Sequence, residues 1–174
     1  MRIERTDMLI RNTTYEDLDE VMSIYAVARD FMRSTDNGSQ WGTTHPRREL
    51  IESDIEKKCS YVVEENGEIL GVFFFRTGND PTYETICDGK WLDDDEYGVI
   101  HRIAMKYQGR GVATFVYNHC FNIINNLRID THERNLPMQH SLTKNGFVKC
   151  GTIYLESGDS RIAYQKVNTD GKIF

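Results

Sequence analysis

An α/β (α+β) fold with one mixed, mostly antiparallel sheet of about seven strands and about four flanking helices is predicted by three observations. The hydrophobic period switches between about 2 and 3.6 along the chain, in the order β-α-α-β-β-β-α-β-α-β-β. Asn66-Gly67 separates two strand-like runs, the strongest short-range signal of a β-hairpin. Lys106-Tyr-Gln-Gly-Arg-Gly111 stands between a buried strand and a helical stripe. At roughly 100 to 200 residues per domain, residues 1–174 correspond to one domain. No repeat, linker or low-complexity tract divides them.

Met8 to Arg11 is a short strand. Thr14, with Asp17 three positions on, forms an N-cap signal, and Leu18, Val21, Met22, Tyr25 and Met32 carry a helix to about Arg33. Ser34 to Ser39 breaks it, and Trp41 follows in a loop. Pro46 suits a first helical position, with Leu50, Ile51 and Ile55 the stripe of a second, shorter helix. Tyr61–Glu65 and Glu68–Phe75 pair about the Asn66-Gly67 turn. Thr77 to Glu96 is polar and long, carries Tyr83, Trp91 and Asp93-Asp-Asp-Glu96, and reads as functional. Tyr97 to Met105 is a buried strand. Val112, Phe115, Val116, Cys120, Ile123, Ile124 and Leu127 give a helical stripe ending near Asn125-Asn126, and Leu127 to His132 is the next strand. Pro137 opens a short helix that Gly146 closes. Phe147–Leu155 and Arg161–Val167 form a last hairpin.

Apolar residues at 39% and charged residues at 28% allow a buried core and exclude collagen-like, mucin-like and disordered classes. The net charge of −6, with no basic patch beyond Arg47-Arg48, argues against nucleic acid as a partner. The apolar run Ile69 to Phe75 is far short of the ~20 residues needed to span a membrane. Met1 to Met8 has no leader-like apolar stretch, so a cytoplasmic location is expected. Cys59, Cys87, Cys120 and Cys150 are widely spaced and read as buried free thiols. His132-Glu133 lacks the second His of a metalloprotease motif, since position 136 is Leu, and Asp93–Glu96 lacks the Gly of an EF-hand. No metal is expected.

The chemistry resides in the strand, Gly-rich turn and helix around position 110. Glycines let successive N–H groups turn toward one point, and a helix start adds unpaired N–H groups and the positive end of its dipole, which together hold phosphate. Val-Ala-Thr114 after Gly109-Arg-Gly111 fits neither the dinucleotide fingerprint nor a P-loop.

Gln108-Gly-Arg-Gly111-Val-Ala113, between a strand and a helix, resembles the pyrophosphate motif of the GCN5-related N-acetyltransferase (GNAT) family, Gln/Arg-x-x-Gly-x-Gly/Ala. Asn135-Leu-Pro-Met138 through Lys144-Asn-Gly-Phe147 is similar to a second family feature, and the order of elements from Met8 to Val167 follows the family fold. Gln40-Trp41 and the His45-Pro46 step resemble a feature of one bacterial subgroup. The resemblance implies acetyl-CoA as cofactor, held by Gln108, Gly109, Arg110, Gly111, Val112, Ala113 and Thr114, aligned by Ile103, Ala104 and Met105, and contacted by Asn135 and Lys144. It implies an oxyanion met by main-chain N–H near Ile103 to Met105. Two positions depart from the family: Leu142 stands where a Tyr often protonates the thiolate, and Val99 where several relatives place a Glu. The link from Ala104 to the turn is about two residues shorter than in many members.

A free amine of pKa about 10.4 is mostly protonated at pH 7, so its attack on a thioester needs a base or a water chain. Two-residue alternation puts Tyr97, Val99, His101, Ile103 and Met105 on one face of the strand, opposite Ile100, Arg102 and Ala104. His101 is the first candidate base, with Tyr97 and Glu96 in reserve; a His packed in the sheet is the competing reading. Trp41, Tyr83 and Trp91, with Tyr97, are candidates for an aromatic wall around the acceptor, against lids packed on the sheet edge. The expected activity is acetyl transfer to a primary amine of a small molecule or a peptide by direct attack, since no Cys lies where its pKa would fall. The alternative is a non-catalytic acyl-CoA-binding or regulatory module. Polyamines, aminoglycosides, amino acids and protein amines all remain open as acceptors, as does a homodimer through the last hairpin.

Overall fold

Asn66 and Gly67 both hold positive φ, 51° and 82°, and fold β2 (Ser60–Glu65) antiparallel onto β3 (Glu68–Thr77). The computed structural model describes residues 7–169; the expectation that the chain start carries no leader therefore falls largely on residues outside the described ones. Before this hairpin come β1 (Met8–Asn12), α1 (Leu18–Ser34) and α2 (Arg48–Glu56). After it come β4 (Gly98–Met105), α3 (Val112–Ile123), β5 (Asn126–Thr131), α4 (Leu136–Lys144), β6 (Val148–Tyr154) and β7 (Ser160–Val167). The strands make one seven-stranded sheet in the order β1-β2-β3-β4-β5-β7-β6. Only the β4–β5 pairing is parallel, so the sheet is mixed and mostly antiparallel.

Each face of the sheet carries its own helices, because apolar side chains alternate along the strands. Val62 joins Leu18, Val21, Ile24, Tyr25, Ile51 and Ile55 of α1 and α2, while its neighbour Val63 joins Val112, Val116, Tyr117 and Cys120 of α3 and Leu142 of α4. Gly71 of β3 lets α3 start close against the sheet: a Cβ there would lie 2.9 Å from Val112 Cγ1 and 3.1 Å from the Ala104 carbonyl. That approach sets the Gly-rich turn directly beside the end of β4.

Several boundaries differ from the expectations. Thr14 and Asp17 form the reciprocal capping box, but it opens a 3₁₀ turn over Tyr15–Asp17 that runs into α1. Pro46 follows a cis peptide bond from His45 and precedes the N-cap Arg47, so it is outside α2 rather than its first residue. The chain turns extended at Ile124, close to the expected end of α3 at Asn125-Asn126, and Leu127 therefore belongs to β5 and not to the helical stripe. Of the four free thiols Cys120 and Cys150 are buried and Cys59 partly so, whereas Cys87 is exposed.

The larger difference lies in β4. Phe74 pairs with His101 and Val72 with Ala104, so Phe73 alone faces both Arg102 and Ile103, a β-bulge with Arg102 at φ 50°. The bulge breaks the alternation expected from Tyr97 to Met105. Ile103 and Met105 cross to the side of Ile100 and pack with the α3 and α4 cluster, while Tyr97, Val99 and His101 stay on the other side. Arg102 is held there from α2 by a two-pronged bond to Asp54, at 2.9 and 3.0 Å, and from α1 by the Tyr25 hydroxyl donating to its carbonyl. β4 pairs with β5 only at Gly98–Leu127 and Val99–Arg128, beyond which the strands diverge.

Candidate active site

The wedge opened between β4 and β5 is the centre of the site. Lys106 donates to the Leu70 carbonyl across β3, so alternation turns the N–H groups of Met105 and Ile103 toward the opposite edge, where β5 has moved away. Next in sequence comes the Gly-rich turn, with Gly109 and Gly111 at φ 75° and 74°. Gly111 is the N-cap of α3, and Phe115 makes the first main-chain bond back to it. Within the described residues no protein acceptor takes an amide from Gln108 through Thr114. A helix start and a positive-φ turn thus present a row of unengaged donors, as an anion requires.

These donors border a groove of about 310 Å³. All twelve residues expected to hold the cofactor line it: Ile103, Ala104, Met105, Gln108 through Thr114, Asn135 and Lys144. Sequence reasoning missed Phe31, Tyr107, His140, Ser141 and Asn145 on its walls. The Arg110 guanidinium is exposed and lies 3.3 Å from Glu65, over the Tyr107 ring. Asn135 caps α4 by accepting from the Met138 amide and donates to the Gln40 side chain. Leu142 is fully buried in the core and does not reach the groove, so no acid occupies that position.

A second, more polar cavity of about 440 Å³ adjoins the first, and both are lined by Met32, Ile103, Asn135 and Met138. His101 and Trp41 line it, with Arg102, Asp130, Asp159 and Arg161. His101 Nε2 lies 2.7 Å from Asp80 Oδ2. Burial pushes the Asp80 carboxyl up, but hydrogen bonds from His101 and Thr82 prevail and hold it at about 2. An ionised carboxylate can only accept, so Nε2 carries the proton and Nδ1 is the basic nitrogen. Nδ1 has no hydrogen-bond partner among the described residues. Asp80, 21 positions before His101, has no sequence signature beyond the Asn79-Asp80-Pro81 turn.

The remaining candidates lie elsewhere. Tyr97 is buried; its hydroxyl accepts from the Asp80 amide at 2.9 Å and its ring stacks on Arg128. Glu96 is exposed and lines neither cavity. Tyr83 is 1% exposed and donates to Asp130 at 2.7 Å, and Trp91 packs on its edge while donating to its carbonyl. Tyr83 and Trp91 therefore form internal packing behind the cavity instead of an open aromatic wall, and of the three expected aromatics only Trp41 faces it. The Asp93–Glu96 run serves structure in part: Asp93 accepts from Asn126 and Gln165. Within the described residues no three His, Cys, Asp or Glu side chains gather as a metal site, and no helix is long and apolar enough to cross a membrane.

Comparison with known proteins agrees with this architecture. The acetyltransferase (GNAT) family model matches residues 21–147. A GNAT-family acetyltransferase from Streptococcus agalactiae is similar at 33% identity over 92% of this chain and 95% of that one, with a TM-score of 0.84. A GNAT-family acetyltransferase from Listeria monocytogenes shares the fold at 18% identity, covering 95% of this chain and 98% of that one, with a TM-score of 0.69. A ribosomal-protein-alanine N-acetyltransferase from Brucella melitensis does so at 17% identity, covering 92% and 99%, with a TM-score of 0.63. The search of curated proteins returns no match. The family match runs from α1 to the Gly146-Phe147 step and takes in the β4 wedge, the row of free amides and α4: the chain belongs to the GNAT acetyltransferase family.

Proposed function

We propose that this protein is a cytosolic N-acetyltransferase that moves the acetyl group of acetyl-CoA to a primary amine by direct attack in a ternary complex. One observation carries the reading: two cavities meet at Ile103, Asn135, Met138 and Met32, one bordered by unengaged amides and the other by a His with an ionised carboxylate behind it. The amides from Gln108 to Thr114 suit a diphosphate, and the exposed Arg110–Glu65 contact is weak enough for a phosphate to displace. The Met105 and Ile103 amides suit the amide groups of a pantetheine arm, and the second can also meet an oxyanion.

Acetyl-CoA when bound supplies an electrophilic thioester and a thiolate leaving group. An alkyl thiol of pKa near 8.5 departs without strict need of an acid, which agrees with a buried Leu142. The amine is the harder partner, since at pKa about 10.4 it arrives protonated. Nδ1 of His101 takes that proton, directly or through a water, and Asp80 holds the ring in the required tautomer and balances the imidazolium charge. Direct transfer is favoured over an acyl-enzyme because no cysteine lines either cavity, and burial pushes the Cys120 thiol up to about 12 and also raises Cys59 and Cys150. The test is thiol release from acetyl-CoA with a panel of primary amines. Amine-dependent release supports the reading; tight CoA binding with no release by any amine overturns it in favour of a binding module.

A further inference from the structure

Arg161 of β7 lines the acceptor cavity and is 7% exposed. Its guanidinium donates to two main-chain carbonyls, those of Ser160 at 2.9 Å and Gln40 at 3.2 Å, and within the described residues it forms no ion pair. The other guanidinium on the cavity wall, Arg102, is neutralised by Asp54. A guanidinium has five N–H donors, so the two carbonyls leave most of its fork open and its charge unbalanced. A buried cation of this kind is costly unless an anion joins it.

The sheet register supplies the rest. Asp130 on β5 pairs with Ala163, and Arg161 lies two residues before Ala163 on the same face. Diagonal neighbours of this type lie about 7–8 Å apart, with their Cβ atoms somewhat closer. Asp130 lines the same cavity, on the side of the Tyr83 hydroxyl and of His101, whose rings are 5.8 Å apart. One wall therefore shows a carboxylate and, a short step away, an unpaired guanidinium. Asp159 also borders the cavity, but it is exposed at the tip of the last hairpin, where water screens it, and it accepts from Ser157.

We propose that the acceptor is an amine bearing a carboxylate a few bonds away, an α-amino acid in the simplest case, with Asp130 drawing in the ammonium and Arg161 holding the carboxylate. The proposal rests on the acetyl-transfer reading above and narrows it. A cavity of about 440 Å³ has room for one such molecule, and Trp41, Leu155 and Ile103 offer apolar surface to its side chain.

The experiment uses L-α-amino acids, each with its carboxamide and its decarboxylated amine, and reads both thiol release and equilibrium binding to the CoA-saturated protein. At least one acid is expected to exceed its amide by about tenfold or more in kcat/KM, the worth of one charge-assisted contact. Arg161→Gln, which keeps a donor for the Gln40 carbonyl, should abolish that preference mainly through KM with CoA affinity unchanged, and Arg161→Lys should restore part of it. Equal use of acid and amide overturns the proposal. So does an Arg161→Gln variant that slows all three compounds alike, because that marks a tie between the Gln40 loop and β7. Arg161-dependent binding of an amino acid without any turnover would sink acetyl transfer and leave the anion site standing. No binding of any amino acid sinks the anion site.

Discussion

His101 has its Nε2 against a carboxylate that stays ionised down to about pH 2, and the residue lines the more polar cavity. His101→Ala should lower kcat/KM by about 10²- to 10⁴-fold, the usual worth of a positioned base. An unaltered rate and pH profile of thiol release in the variant would remove His101 from the chemistry. Asp80 adds a stability prediction. Its folded pKa lies below the ordinary 3.8, so the stabilisation is complete above about pH 4 and is lost as pH falls toward 2. Asp80→Asn should melt below wild type at pH 6, and the gap in Tm should close between pH 4 and 2. The pairing was not legible beforehand, because any of the chain's 27 acidic residues could have met the ring and only the fold brings Asp80 to it. Tyr83 misleads for a related reason. A Tyr in a polar segment is the same letter whether its ring faces solvent or, as here, goes inward to reach Asp130.

At the level of single elements, the turn before α3 and the bulge in β4 make opposite demands. Gly111 has open space where a Cβ would be but a φ of 74°, so Gly111→Glu strains the turn by about 1 kcal/mol and sets a carboxylate among the amides proposed to hold phosphate. The variant should remain folded by circular dichroism while CoA affinity, measured by calorimetry, falls at least about tenfold; unchanged affinity refutes the phosphate assignment. Arg102 is different, since it is tied to a buried Asp54. Arg102→Ala should cost about 3–5 kcal/mol in urea unfolding, because it strands that carboxylate. The Asn66-Gly67 hairpin and the Gln108–Gly111 turn were readable from sequence, since each is specified by neighbouring residues. The bulge was not. It depends on Asp54 and Tyr25, 48 and 77 positions away, and two-residue alternation cannot see across that distance. The groove beside α3 was legible because its donors are contiguous main-chain groups, whereas the more polar cavity draws on residues scattered from Met32 to Arg161.

For the molecule as a whole, the two cavities share a wall, so donor and acceptor can be bound together. Initial-rate plots against acetyl-CoA at several amine concentrations should intersect, and no burst of thiol should appear without amine; parallel lines with a burst would mean an acyl-enzyme. Two helical layers and a seven-stranded sheet serve to keep that shared wall open at the point where β4 and β5 part. The chain holds two tryptophans, in unlike surroundings. Trp91, half-buried, packs beneath the Arg128 guanidinium at 4.2 Å and lines neither cavity, while Trp41, also half-buried, lines the more polar cavity between Tyr25 and His45. Nature has thus fitted the molecule with a fluorescent gauge and its own reference lamp: an occupant of the cavity alters the emission of one indole and leaves the other steady, so occupancy can be followed in unlabelled protein.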